Sequence, residues 1–374
     1  MGRGGELTTL LFEVGHLYHR AALDPLYQVF GADPNYEIAF TCSYDAERRF
    51  GVFNRSLRRE LEDRFRAEGL TVATDTRGFD VVIVGDTVRN PERYGSTLLC
   101  FVNHGTGIKN ILYRNLRSQA QTRYQIFVEG EYRVQKIREA GVQGRSSVHK
   151  VGLPKLDPLF WPHYPSREHI LEKLGLDPDK RTVLFAPTYK PTCIDLIQDS
   201  IIEATRGYNL IIKLHHYSWR GKYAPHWHHT LYETAVAQAP HAVLIPVDAY
   251  NIVPYMHAAD TLISEASSTM FDFLALDKTG IVFVLPQDGL RHHDGEALLT
   301  EDPQSFLADV FVHIDAADDL RDAIVEALRE DPMRRQRAAQ YRAHYFFGLD
   351  GQASQRTKTT VEKLLADGGQ ANVP

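Results

Sequence analysis

The sequence predicts an α/β protein with two domains, each built on a parallel β-sheet. Short apolar runs rich in Val, Ile, Leu and Phe recur along the chain, and amphipathic, helix-like segments separate them. Strands that alternate with helices in this way are typical of parallel sheets covered by helices on both faces. The length of 374 residues suits two domains.

Eleven segments predict strands because each is short, apolar and bounded by polar or turn-forming residues. They are residues 8–14, 36–42, 80–85, 97–102, 124–128, 147–151, 182–186, 209–214, 242–245, 261–264 and 280–285. Nine longer segments have apolar residues at helical spacing and predict helices. These are residues 53–68, 109–118, 131–140, 166–174, 196–205, 231–238, 268–276, 318–330 and 352–366.

A domain boundary is predicted near residues 152–169, where four prolines interrupt regular structure. We expect a first domain at 1–155, a second at 156–345, and a C-terminal segment at 346–374 whose helix crosses back over the first domain. Open α/β sheets bind ligands at the carboxyl ends of their strands. The site is therefore expected in a cleft between the two sheets.

The composition of the chain argues against several classes of function. A net charge of −6 and a pI near 6.3 argue against nucleic acid as a partner. The apolar runs are too short to span a bilayer, the N-terminus does not resemble a signal peptide, and three unevenly spaced cysteines suit the cytoplasm. Two Arg-rich stretches, 48–66 and 329–342, are interpreted as solvated helix faces or as contacts with an anionic surface.

Polar residues follow four of the predicted strands at the point where each strand ends. The residues that this pattern singles out are Asn103, His104, Gly105, Thr106, Gly107, Thr188, Tyr189, Lys190, Lys213, His215, His216, Glu265, Ser267, Ser268 and Thr269. A stable core alone does not require histidine or glycine at these positions. The pattern predicts a ligand site.

Each of these residues also has a structural interpretation. His104 could bond a neighbouring carbonyl, and Thr188 could cap a helix. Ser267, Ser268 and Thr269 are good N-cap residues for the helix at 268–276. A capped helix N-terminus can also bind phosphate, because its N–H groups and its dipole attract an anion.

No metal site is predicted. His226, His228 and His229 lie close together, as do the residues of 291–296, yet neither group has the ligand spacing of a recognised zinc site. Exposed loops are the preferred interpretation. The sequence also lacks a P-loop, a dinucleotide-binding glycine motif and a nucleophile elbow.

Taken together, six motifs resemble those of the CDP-glycerol glycerophosphotransferases of teichoic acid synthesis. They run in order along the chain and are "NHGTGIK" (103–109), "GLPKLD" (152–157), "FAPTYK" (185–190), "IKLHH" (212–216), "ISEASSTMFDFLALDK" (263–278) and "LDGQASQR" (349–356). Four positions depart from the family pattern. Lys190 stands where the family commonly has Arg, Glu265 and Ala266 replace Asp and Tyr, and His216 replaces Pro.

The resemblance implies a GT-B fold of two Rossmann-like domains, with the acceptor in the first and the nucleotide in the second. It implies a CDP-glycerol or CDP-ribitol donor, release of CMP, and a polyol-phosphate or lipid-linked acceptor. It also implies peripheral association with the cytoplasmic face of a membrane. No cofactor is predicted with certainty, and a divalent cation such as magnesium is a possible one.

A hydroxyl acceptor needs a base, and His104 is the expected one. Glu265 is expected to bond ribose or cytosine, while Gly105, Thr106 and Lys109 belong to the acceptor loop. The residues expected to bind the donor and to stabilise its charge are His215, Lys213, Thr188, Lys190, Ser267, Ser268, Thr269 and Arg356. Two alternatives are a GT-B glycosyltransferase that uses a sugar nucleotide and a non-catalytic binder of anionic polymer.

Overall fold

The computed structural model describes residues 7–43, 46–49, 53–220, 227–286 and 290–368. The chain divides into two compact units. The first unit comprises residues from 1–104, 112–162 and 344–374, and the second comprises residues from 105–111 and 163–343. The division after residue 162 falls inside the proline-rich segment.

Within the described residues, fourteen strands form three sheets. They are β1 (Thr8–Val14), β2 (Tyr36–Cys42), β3 (Ala46–Arg49), β4 (Phe53–Ser56), β5 (Val81–Val84), β6 (Leu98–Val102), β7 (Tyr124–Val128), β8 (Ser147–Lys150), β9 (Thr182–Phe185), β10 (Asn209–Ile212), β11 (Ala242–Leu244), β12 (Thr261–Ser264), β13 (Ile281–Phe283) and β14 (Val312–Ile314).

The same residues contain thirteen α-helices. They are α1 (Arg20–Gly31), α2 (Arg58–Ala67), α3 (Ile111–Ser118), α4 (Glu131–Glu139), α5 (Arg167–Lys173), α6 (Ile194–Ile197), α7 (Ser200–Ala204), α8 (His228–Val236), α9 (Val253–Ala258), α10 (Ser268–Ala275), α11 (Leu320–Leu328), α12 (Pro332–Tyr345) and α13 (Ala353–Ala366). None of these helices is both long and apolar enough to cross a bilayer.

The first unit is built on a six-stranded sheet in the order β2-β1-β5-β6-β7-β8, with every neighbouring pair parallel. All four residues of β5 are buried, because helices cover both faces of a parallel sheet. Strands β3 and β4 form a separate antiparallel pair. The last helix, α13, packs against α1 within this unit.

The second unit repeats this plan with the order β11-β10-β9-β12-β13-β14, again parallel throughout. Strands β9 and β12 are central and fully buried. They pair side by side, so the loops that follow them leave the same edge of the sheet. The predicted α/β class with parallel sheets is therefore confirmed.

All eleven predicted strands are present, with ends within two residues of those expected. Six further elements were not predicted: β3, β4, β14, α1, α9 and α12. The helix predicted at 53–68 begins only at Arg58, because β4 occupies Phe53–Ser56. Pro25 inside α1 obscured a helix whose Leu23, Leu26 and Phe30 are fully buried. Packing of that apolar face outweighs the local preference.

Candidate functional site

In the second unit, Glu265 follows β12 and organises the loop that follows β9. Its buried carboxylate accepts hydrogen bonds from the backbone N–H of Thr188 at 2.7 Å and from that of Cys193 at 2.5 Å. The expected contact of Glu265 with ribose or cytosine stays a prediction. In the structure, this carboxylate shapes the loop.

Thr188 and Lys190 lie on that loop in different settings. The Thr188 hydroxyl donates to the carbonyl oxygen of Pro191 at 2.6 Å, so it closes the loop and caps no helix. Its one proton is already used, and it could donate to a phosphate only after leaving Pro191. Lys190 is exposed.

The N-terminus of α10 carries a cluster of hydroxyls, and the capping interpretation is confirmed for Ser267. The Ser267 Oγ accepts from the backbone N–H of Thr269 at 3.2 Å and contacts the Thr269 hydroxyl. Ser264 joins the cluster through Ser267 at 3.2 Å and donates to the Ala186 carbonyl at 2.7 Å. The positive end of the helix dipole and these hydroxyls make this edge of the sheet suitable for a phosphate.

Residues 105–111 belong to the second unit, whereas the sequence analysis placed them in the first. A Cβ on Gly105 would lie 2.9 Å from the Cβ of Ser268, so only glycine allows this approach to α10. The segment is held by hydrogen bonds from the N–H of Thr300 to the carbonyl of Ile108 at 2.7 Å, and from the N–H of Asn110 to that of Leu298 at 2.8 Å. These hydrogen bonds, with residues almost 200 positions away in the chain, place the segment in the second unit.

Two other residues of this segment, Thr106 and Lys109, are therefore beside the predicted donor site. Thr106 is buried, and its Oγ1 has no hydrogen-bond partner among the described residues. The ammonium of Lys109 interacts electrostatically with Glu265. Both were predicted to belong to the acceptor loop. That role stays a prediction, and the structure places both residues in the second unit.

Lys213 and His215 come directly after β10. Burial lowers the pKa of Lys213 to about 8, while the nearby Asp248 acts in the opposite direction. The Nδ1 of His215 accepts from the backbone N–H of Tyr217 at 3.2 Å, so a neutral imidazole carries its proton on Nε2. Tyr189 packs on this ring at a centroid distance of 4.6 Å. His215 therefore presents a hydrogen-bond donor.

In the first unit, His104 follows β6 and has the opposite arrangement. Its Nδ1 lies 2.5 Å from the carbonyl oxygen of Gly85. A carbonyl only accepts, so Nδ1 carries the proton and Nε2 is the basic nitrogen. Burial lowers the pKa of His104, Asp86 and the Gly85 bond oppose this, and the charges of Lys155 and His16 add to the lowering. His104 is thus set up as a neutral base.

A buried network holds the residue that precedes His104. The Asn103 amide donates to one carboxylate oxygen of Glu129 at 2.8 Å, and Arg133 donates to the other at 3.0 Å. Arg133 also bonds the Tyr113 hydroxyl at 2.6 Å. Because each buried polar group has a partner, the network holds the backbone rigidly.

His16 and His19 lie beside His104, and the sequence analysis did not select them. They follow β1, and the ring centroids of His19 and His104 are 4.7 Å apart. Strands β1, β5 and β6 are neighbours in the sheet, so the loops after them meet at one edge. The strand-end rule that found His104 would have found "GHLYH" (15–19) had it been applied to the first strand.

Arg356, predicted to bind the donor, has its guanidinium engaged within the first unit. It donates to the carbonyl oxygens of Val151 and Gly348 at 2.7 and 2.9 Å, and to the carboxylate of Asp350 at 2.9 Å. Asp157 in turn accepts from the backbone N–H of Ser354 at 2.6 Å and so caps α13. The motifs at 152–157 and 349–356 thus hold each other in place, and donor binding by Arg356 stays a prediction.

No group of three or more His, Cys, Asp or Glu suited to a metal occurs in the described part of the chain. His228 bonds Asp195 at 3.1 Å, and His229 bonds the Ser218 carbonyl at 3.2 Å. His226 lies outside the described residues.

The Arg-rich helix α2 has an ion pair between Arg58 and Glu62 at 2.6 Å, as expected for a solvated helix face.

The family model for CDP-glycerol:poly(glycerophosphate) glycerophosphotransferases matches residues 101–363. No curated protein matches the chain. Among solved structures, the fold is similar to that of a variant of the wall teichoic acid polymerase TagF, with a TM-score of 0.65, 15% identity, and coverage of 97% of this chain and 90% of that one.

A second TagF variant, soaked with CDPG, has a TM-score of 0.65, 16% identity and the same coverage. The MnaA–UDP complex from S. aureus has a TM-score of 0.60 and 16% identity, and the match covers 96% of this chain and 97% of that one. At these identities the likeness establishes a GT-B-like fold.

Proposed function

Because the chain belongs to the CDP-glycerol:poly(glycerophosphate) glycerophosphotransferase family, we propose that it transfers glycerol phosphate, or a related polyol phosphate, from a CDP-polyol to an acceptor hydroxyl of a teichoic-acid-like or other surface polymer. The hydroxyl oxygen attacks the β-phosphorus and the bond from that phosphorus to the CMP oxygen breaks. CMP leaves, and the hydroxyl proton passes to a base.

The second unit is the proposed donor site. Its carboxyl edge carries a buried ammonium on Lys213, the N–H donor of His215 and the capped N-terminus of α10. A diphosphate needs positive charge and hydrogen-bond donors, and this edge supplies both. The similar fold of a TagF variant that was soaked with CDPG adds support for a nucleotide donor of this class.

The first unit supplies the proposed base. His104 is neutral, is held by Gly85 through Nδ1, and offers Nε2 to an acceptor hydroxyl. General-base catalysis by a positioned histidine contributes about 10²–10⁴ in rate. The observation that carries the proposal is this opposite polarity of the two imidazoles, one able to take a proton and one able to donate a hydrogen bond.

The acceptor is proposed to be a polyol-phosphate chain carried on a membrane lipid. Such an acceptor would hold the enzyme peripherally at the cytoplasmic face of the membrane. Lys213, His215 and the N-terminus of α10 provide the proposed electrostatic stabilisation, and the proposal is compatible with a magnesium ion. Magnesium dependence is measured by adding EDTA to the assay below.

The test is nucleotide release from CDP-glycerol, CDP-ribitol, UDP-glucose and GDP-mannose, with and without a glycerol-phosphate primer or a lipid-linked primer. Acceptor-dependent release of CMP from a CDP-polyol is the expected result, and the preferred CDP-polyol identifies the donor. Release of a nucleotide from a sugar donor would instead make the protein a glycosyltransferase. Donor binding without any release would favour the non-catalytic binder.

A further inference from the structure

Three histidines cluster at the carboxyl edge of the first sheet, and only His104 has a role in the proposed reaction. His19 lies 4.7 Å from His104 and 5.3 Å from His16, measured between ring centroids. The Tyr18 ring packs against His19 at 4.7 Å and stands 6.0 Å from His104. The cluster therefore lies beside the proposed base.

His19 is the unusual member of the cluster. Its side chain is 3% exposed, and its Nε2 is buried with no hydrogen-bond partner among the described residues. Such an atom is destabilising unless a ligand pairs with it, and native proteins contain few of them.

The glycines around His19 show that the site is built to hold this ring. A Cβ on Gly85 would lie 3.0 Å from the Cβ of His19, and a Cβ on Gly15 would lie 3.4 Å from its Cε1. Gly85 is also the residue whose carbonyl oxygen accepts from His104. One backbone segment therefore places both imidazoles.

We propose that His19 is a specificity-determining residue of an acceptor subsite, where its Nε2 pairs with the hydroxyl next to the one that His104 activates. The ligand class is a polyol terminus with two hydroxyls on adjacent carbons. This inference rests on the proposed function for the identity of the acceptor, and on the first unit alone for the site.

The charge state of His19 favours a hydroxyl over a phosphate. Burial, followed by the charges of His104 and His16, holds the pKa of His19 well below its ordinary value, so the ring is neutral. A neutral imidazole pairs with a neutral hydroxyl and contributes no charge to an anion. The Tyr18 side chain is partly exposed and its ring packs against His19. We expect its rotation to admit the hydroxyl to Nε2.

The experiment compares two probes by calorimetry: glycerol 3-phosphate, which has adjacent hydroxyls, and 3-hydroxypropyl phosphate, which lacks the middle one. CMP at saturating concentration occupies the donor site in every titration. We expect the wild-type chain to bind glycerol 3-phosphate about 10- to 100-fold more tightly. His19→Phe keeps an aromatic ring of similar shape and should reduce this preference to within about threefold.

His149→Phe is the matched control, because its Nε2 has a partner, the Gln125 side-chain oxygen at 2.7 Å. This variant should keep the wild-type preference and melt at a lower temperature, since it leaves Gln125 unpaired. His19→Phe should melt at or above the wild-type temperature. A residue with a merely structural role would instead lower the melting temperature.

Equal binding of the two probes by the wild-type chain, including no binding of either, would overturn the subsite. An unchanged preference in His19→Phe would do the same. Preference for glycerol 3-phosphate in a chain that releases no CMP from CDP-glycerol would overturn the proposed function and keep the subsite. Release of CMP without a preference for glycerol 3-phosphate would overturn the subsite and keep the proposed function.

Discussion

The two units share one architecture but differ in the chemistry at their sheet edges. Each has a six-stranded parallel sheet with a histidine after a buried strand. In the first unit two further imidazoles lie near His104, and its Nε2 is the unprotonated nitrogen. In the second unit an ammonium and hydroxyls follow the strand ends, and the Nε2 of a neutral His215 carries the proton. The partner of Nδ1 decides which ring nitrogen carries the proton, because a carbonyl oxygen only accepts a hydrogen bond and a backbone N–H only donates one.

The largest effect is expected for His104→Asn, whose amide can still donate to Gly85 but provides no base. The kcat of acceptor-dependent CMP release should fall by about 10²–10⁴, with little change in the KM of the donor. The acid limb of the wild-type kcat/KM profile should lie below pH 6.5 and be absent from this variant. Near-normal turnover in a folded variant would remove His104 from the mechanism.

The two ring nitrogens of His215 are expected to have different functions, and substitutions that keep one nitrogen position at a time can test them separately. His215→Asn retains an acceptor for the Tyr217 N–H but loses the Nε2 donor, and its kcat should fall by about 10²–10³. His215→Gln restores a donor near the Nε2 position and should recover part of the loss. Both variants should keep the acid limb that His104→Asn loses. If that limb disappeared instead, His215 would be the base.

The lowered pKa of Lys213 predicts that donor affinity depends on pH, through a residue of the second unit. Its pKa is lowered to about 8 by burial, so its charge is lost as the pH rises through 8. Affinity for CDP-glycerol should then fall on the order of tenfold between pH 7 and 9, as measured by calorimetry. Lys213→Met should bind weakly and show no such step.

The Lys213 titration does not destabilise the folded state over this pH range, so unfolding caused by it would not explain the fall in affinity. The folded pKa lies below the unfolded value near 10.5, so the unfolded chain binds the extra proton between pH 8 and 10.5. The contribution of Lys213 to the free energy of unfolding therefore rises over that range. A donor affinity that stays flat through pH 8 would contradict a contact between Lys213 and the diphosphate.

Glu265→Gln tests whether that carboxylate shapes the loop or binds the nucleoside. Replacing an acceptor of two backbone N–H groups should lower the free energy of unfolding by about 1–3 kcal/mol and raise the donor KM by several-fold. Selectivity for cytidine over uridine nucleotides should persist. Lost selectivity with unchanged stability would mean that Glu265 contacts the base directly.

Arg356→Lys should have the smallest effect on catalysis, because its partners all lie within the first unit. The free energy of unfolding should fall by about 1–3 kcal/mol, while kcat/KM stays within about threefold of wild type. Arg77→Lys, at an exposed pair with Asp75, is the control and should change stability by less. A large rise in donor KM would instead support a contact between Arg356 and the donor.

The local pattern of apolar and polar residues in the sequence predicted most of the fold. The apolar runs of the eleven expected strands are all strands, and Ser267 caps the helix that its sequence suggested. Those features depend on residues close in the chain. Helix α1, with a proline inside it, and the short strand β14 form because their apolar faces pack against distant elements, which a local pattern does not reveal.

The sequence by itself determined the α/β class, the strand ends where the ligand site is proposed, and the presence of His104 and His215 there. Only the tertiary structure decided which nitrogen of each ring is basic, that residues 105–111 belong with α10, and that Arg356 bonds the Val151 carbonyl, 205 positions away. The physical reason is that strand formation follows neighbouring side chains, while protonation and hydrogen-bond partners follow the groups that the folded sheet brings together.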